Sequence, residues 1–141
     1  MFNPSRDQVR RFFIDAWRKY RARTVLSALE YQAVDIVLQH AEYHGVLEHP
    51  DALMLEYAPE GGEMNPFLHL SLHLAIEEQL AIGQPHGIRQ AFDGLLVRCA
   101  DRHEALHRVL ECLGETIWCA QRAGTALDAE SYLECVRKSA S

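Results

Sequence analysis

Apolar residues recur at helical spacing along most of this chain, and three times the inward face of that pattern carries a histidine pair four residues apart. The pairs are His40 and His44, His69 and His73, and His103 and His107. This constrains the fold in two ways. A period near 3.6, with no alternating runs joined by hairpin turns, points to an all-α protein. Imidazoles on core-facing stripes must also find partners there, because an unpaired buried polar group costs roughly 1–3 kcal/mol.

The periodicity predicts about six helices, at least three of them long, packed as a bundle. Ser5 and Gln8 can form a capping box for a first helix over about residues 6–21, with Val9, Phe12, Phe13, Ala16, Trp17 and Tyr20 on its inner face. A second helix is expected from Thr24, read as its N-cap, to about Gly45. His40 and His44 fall on its stripe with Leu26, Leu29 and Ala33. Residues 46–64 hold Pro50, Pro59, Gly61 and Gly62 and lack the period. Within them Leu53–Tyr57 reads as a short strand or a helical turn.

Asn65 is a good N-cap with Pro66 at the first helical position. The third helix that follows is apolar around nearly its whole circumference at first, which marks a central, buried element. Gly83 and Pro85 end it. A fourth helix is expected from Gly87 to Cys99. Asp101 with Glu104 announces a fifth, from Arg102 to Arg122, which Gly124 stops. Its expected core stripe is Leu106, Leu110, Leu113, Ile117 and Ala120. Asp128 caps a last helix to about Arg137.

At 141 residues the chain is long enough for one domain with a real core, taken here as residues 1–141. The net charge of −6 argues against a nucleic-acid backbone as partner. Arg6, Arg10, Arg11, Arg18, Lys19, Arg21 and Arg23 make the first helix locally basic, read chiefly as a solvated face. The N-terminus lacks a signal-peptide core and no apolar run is long enough to span a membrane, so a cytoplasmic protein is expected. Free thiols are then expected at Cys99, Cys112, Cys119 and Cys135.

Two imidazoles at i, i+4 can reach one ion. His69–His73–Glu77 and His103–His107–Glu111 repeat one H-x-x-x-H-x-x-x-E pattern. Helical bundles build metal sites from such side chains on facing helices. The candidate ligands are therefore His69, His73, His103 and His107, with Glu77 and Glu111 as bridging or supporting carboxylates and His40 and His44 as further contributors. A nitrogen-rich set suits a transition metal, Zn or Fe, as one or two ions. Two other readings stand beside this one. The histidines and glutamates form a metal-free core network in a protein-interaction module, with Phe12, Phe13 or Trp17 offering a dimer or partner face. Alternatively, His103-Glu-Ala-Leu-His107 is an H-E-x-x-H match of the kind that binds zinc in metallohydrolases. Glu104 projects about 100° from His103, toward solvent, which counts against it. Phosphate loops and serine elbows are absent, so no reaction is specified.

Asn65-Pro-Phe-Leu-His69, His73-Leu-Ala-Ile76 with Glu78-Gln79, and Glu111-Cys-Leu113 with Glu115, Ile117, Trp118, Gln121 and Arg122 carry a family resemblance. Over nearly its full length the chain resembles an uncharacterised bacterial family known as domain of unknown function 1841. His40-Ala-Glu-Tyr-His44 is similar to a proline-containing family segment, with Ala41 in the proline position. The resemblance implies a cytoplasmic bacterial protein and no activity, substrate or cofactor.

Overall fold

A computed structural model describes residues 6–54 and 65–140. Among them there is no strand. The helices are α1 (Arg6–Arg21), α2 (Ala28–Leu38), a 3₁₀ turn (Ala41–Tyr43), α3 (His44–Glu48), α4 (Pro66–Ile82), α5 (Ile88–Arg98), α6 (Arg102–Ala123) and α7 (Ala129–Ser139). No helix among the described residues is long and apolar enough to cross a membrane. The Ser5 half of the first capping box and most of the Leu53–Tyr57 run lie outside the described residues; Leu53 and Met54 are in a turn. The chain forms two compact units, Met1–Leu74 and Ala75–Ser141.

In the first unit α1 packs on α2 and α3. Its inner face is Phe13, Ala16 and Trp17, joined by Ala33, Val34, Ile36 and Val37 of α2, Leu47 of α3, and Phe67 and Leu70 of α4. The expected reach of α1 is confirmed, and its end has a clear cause. Arg23 adopts a left-handed φ of 59°. The Arg23 N–H donates to the Tyr20 carbonyl and the Thr24 N–H to the Lys19 carbonyl, closing a Schellman motif. Thr24 therefore does not start the next helix. Its hydroxyl also turns back to the Lys19 carbonyl. The N-cap of α2 is Ser27, in a complete capping box with Glu30. Lys19 reaches Glu30 at 2.7 Å, and this pairing with the Ser27 N–H holds the Glu30 carboxyl below its usual range.

Arg10 departs from the solvated-face expectation. It is 3% exposed, donates to the carbonyls of Ala52 (3.0 Å) and Leu53 (3.4 Å), and lies 4.9 Å from the centre of the Phe67 ring. A guanidinium has five donors and a flat face, so it can serve carbonyls and an aromatic ring together. Nearby, the Trp17 indole N–H donates to Glu48 at 3.0 Å.

In the second unit α5 and α6 pack on α7. Asp101 accepts from the Glu104 N–H, opening α6 as its sequence predicts. Gly124, at φ 67°, closes it. The buried stripe of α6 is Ala105, Leu106, Val109, Leu110, Cys112, Leu113 and Thr116, so Ile117 and Ala120 of the expected stripe are only half-buried. Cys112 and Cys135 are a disulfide joining α6 to α7 across 23 residues, which corrects the free-thiol expectation for these two. The antiparallel return of α7 brings their Cα atoms to 5.7 Å, a proximity that no spacing within α6 reveals. A loop of this length contributes roughly 3 kcal/mol through the unfolded chain. Cys99 and Cys119 are free thiols.

Tyr132 is fully buried, and its hydroxyl donates to Gln79 at 2.6 Å. Burial pushes its phenol pKa well above the ordinary value. A folded-state pKa raised above the unfolded one gives stability that is complete below about pH 10 and is lost as pH rises beyond it. Tyr132→Phe is expected to lower stability at neutral pH by about 1 kcal/mol. It should also flatten the alkaline decline. Urea melts of both proteins at neutral and strongly alkaline pH check this; an equally steep decline in the variant would refute it.

Candidate metal centre

The site is built where α2 stops. The sequence predicts a helix running on to Gly45, but α2 ends at Leu38, where the Gln39 N–H closes onto the Ile36 carbonyl and the His40 N–H onto the Val37 carbonyl. His40 leaves the helical region at φ −128°, ψ 66°. The last carbonyls of a helix have no partner within it. Here imidazoles add a second donor to two carbonyls that the last tight turn already engages. His40 Nδ1 donates to the Ile36 carbonyl at 2.8 Å, and His44 Nε2 donates to the Val37 carbonyl at 2.9 Å. These two histidines thus share a helix end and not a helix face.

A carbonyl only accepts, so each of these bonds sets a tautomer. His40 carries its proton on Nδ1 and turns the Nε2 lone pair inward. His44 spends Nε2 on the backbone, and its ring lies 4.4 Å from that of Trp17. Of the first pair, His40 faces the site and His44 braces the helix end.

α4 supplies the next two rings. Asn65 caps it through the Phe67 N–H at 2.9 Å, as expected from Asn65-Pro66. One turn in, His69 is half-buried; His73, one turn further, is 2% exposed. His69 Nε2 lies 3.2 Å from His40 Nε2 and 3.2 Å from His73 Nε2. A ring nitrogen from each of the three histidines lies within 4.8 Å of the others. The rings meet at steep angles, 74° between His40 and His69 and 62° between His69 and His73, so their nitrogens converge without the rings stacking.

Proton counting makes this cluster unusual. His40 Nε2 already holds a lone pair. One N–H on His69 Nε2 serves one of its two short contacts well. Without that proton, the contact to His40 sets lone pair against lone pair. In a neutral trio a single Nε2 proton on His69 faces both of these contacts. A cation at the centre satisfies all three nitrogens together. Tetrahedral zinc with Zn–N near 2.05 Å has N···N edges of about 3.3 Å, close to both observed contacts.

Tyr43 was missed by the sequence reading. Its ring lies parallel to that of His40, 5.6 Å away, and edge-on to His69 at 5.6 Å. Burial first, then the charge of Glu42, raises the Tyr43 phenol above its usual pKa. The signal available was its place beside His44, but an unbroken helix would have turned it away from His40.

The other candidate ligands belong to the second unit. His103 and His107 stand one turn apart on α6, half-buried, with ring centres 4.2 Å apart. Both oxygens of Glu77 are engaged by Arg102, at 2.9 and 3.1 Å. Glu111 is exposed. Glu104 serves the start of α6. It accepts from the Ala100 N–H at 3.0 Å and from Arg108 at 3.3 Å, a helix-capping role.

The fold is all-α, and its first unit carries a buried cluster of histidine nitrogens. The chain belongs to the family described as Domain of unknown function (DUF1841), whose model matches residues 5–138. No curated protein and no solved structure matches it.

His40→Ala is expected to cost about 3 kcal/mol, because it removes a buried ring and its hydrogen bond to a helix-end carbonyl. His44→Phe, which keeps an aromatic ring against Trp17, should cost about 1 kcal/mol. Equilibrium denaturation compares them; the reverse order would refute these roles.

Proposed function

We propose that the first unit binds one transition-metal ion through the Nε2 atoms of His40, His69 and His73. The convergence of these atoms at 3.2 Å contacts carries the reading. The hydrogen bond from His40 Nδ1 to a backbone carbonyl supports it. Metal-binding histidines almost always donate their second ring N–H in this way, which fixes the ring and raises its basicity. Three neutral imidazoles without thiolate favour Zn over Fe, with Cu and Ni competing by affinity. The carboxylates Glu77 and Glu111 are not needed in this donor set.

A metal-free core network is the second reading, and one observation favours it: 3.2 Å is also an ordinary hydrogen-bond distance. One experiment separates the two. The protein is purified without nickel resin or chelators and its metals are measured by mass spectrometry, with thermal unfolding followed as Zn is added. The metal reading expects about one ion per chain and stabilisation of about 2.7 kcal/mol at one hundred times Kd. His69→Ala should lose both. Less than about a tenth of an ion per chain, with no stabilisation by added Zn or Fe, sinks the metal site.

A further inference from the structure

The Cys112–Cys135 bond is unequal at its two ends. Cys112 is 3% exposed within the α6 core stripe. Cys135 is half-buried and lines an open groove of about 970 Å³ formed by α6, α7 and the chain between them. The groove is large enough for a small molecule to approach the bond from the Cys135 side. We infer that Cys135 is a thiol-exchange site, where a small external thiol opens the disulfide and remains attached as a mixed disulfide.

The step balances as follows. The external thiolate attacks Cys135 Sγ, a new S–S bond forms, and the Cys112–Cys135 bond breaks. Cys112 leaves as a thiolate and takes a proton from water. A second thiolate attacks the sulfur of the bound thiol, releases Cys135 as a thiolate that is then protonated, and departs as the external disulfide. Two external thiols are oxidised and one protein disulfide is reduced.

The surroundings suit this polarity. Ser139 Oγ donates to the Cys135 carbonyl at 3.0 Å and lies 3.8 Å from Cys112 Sγ. With its proton committed to that carbonyl, the hydroxyl offers a lone pair to a newly formed Cys112 S–H. The released thiol therefore has an acceptor in place, although it is buried. The groove wall also carries Glu115, Asp128, Glu130 and Glu134 against Lys138. Hydrogen bonds from Ser131 hold the Asp128 carboxyl below its usual range, so it stays ionised. This field favours a cationic thiol over an anionic one.

The test uses the full chain in native buffer, with cysteamine as the cationic thiol and glutathione as the anionic one. Alkylation, acid quenching and peptide mapping follow. The expected adduct is on Cys135, with Cys112 becoming alkylatable. Cysteamine should react roughly five- to tenfold faster at low salt, with the difference shrinking at high salt. Cys119→Ser should leave the pattern unchanged, and Cys112→Ser, which has no disulfide for a thiol to open, should take no adduct from either thiol. An adduct on Cys112, reaction only in denaturant, or loss of the adduct in Cys119→Ser would each overturn the assignment.

Discussion

The hydrogen bond from His40 Nδ1 to the Ile36 carbonyl organises the first unit. It gives a second donor to a carbonyl that the Gln39 N–H already reaches, at the point where α2 stops at Leu38. Because α2 stops, the chain can turn through Ala41–Tyr43 and restart as α3, which returns to α1 with Leu47 in the core and Glu48 against the Trp17 indole. Because the bond uses Nδ1, it leaves Nε2 facing His69. One proton position thus links helix termination, the return of the chain and the chemistry of the cluster.

The second unit solves a similar problem by other means. Its helices begin and end with ordinary caps, Asp101, Gly124 and Asp128. Its interior is held by apolar stripes, a buried tyrosine hydroxyl bonded to Gln79, and a covalent link between α6 and α7. Its polar side chains are largely occupied with one another. Glu77 pairs with Arg102, and Glu104 serves the start of α6 and Arg108. Carboxylates that look like ligands in a linear pattern are here satisfied by neighbouring guanidinium groups and backbone amides.

Helix content and most helix limits were legible because they rest on local chemistry. Asn65-Pro66, Asp101 and Gly124 each act within one turn, and each does what its residue type dictates. The α2 errors came from the same kind of reasoning applied where two local options compete. Thr24 and Ser27 are both acceptable N-caps, and the Schellman closure at Arg23 decided between them. The apolar period also continues through Gln39 and His40, so nothing in it marks the break. Side chain to backbone bonds make the break, and these depend on tertiary burial. His69 and His73 could be nominated from spacing, whereas the approach of His40 and Tyr43 depends on the break itself. The disulfide was invisible for a related reason: it records where α7 returns, and no residue in α6 encodes that.

Arg10 has a consequence for how the first unit tolerates change. It holds the Ala52 and Leu53 carbonyls on one side and the Phe67 ring on the other, so a single side chain pins both ends of the connection from Met54 to Pro66. When the ends of a connection are anchored, its length matters little, because doubling it adds only about 0.6 kcal/mol of closure entropy. The number of residues between these anchors is thereby uncoupled from the position of α4 against α1. Relatives could lengthen or shorten that connection while the histidine cluster kept its geometry, provided the guanidinium stayed. A lysine there would forfeit the planar fork that grips two carbonyls and an aromatic face at once.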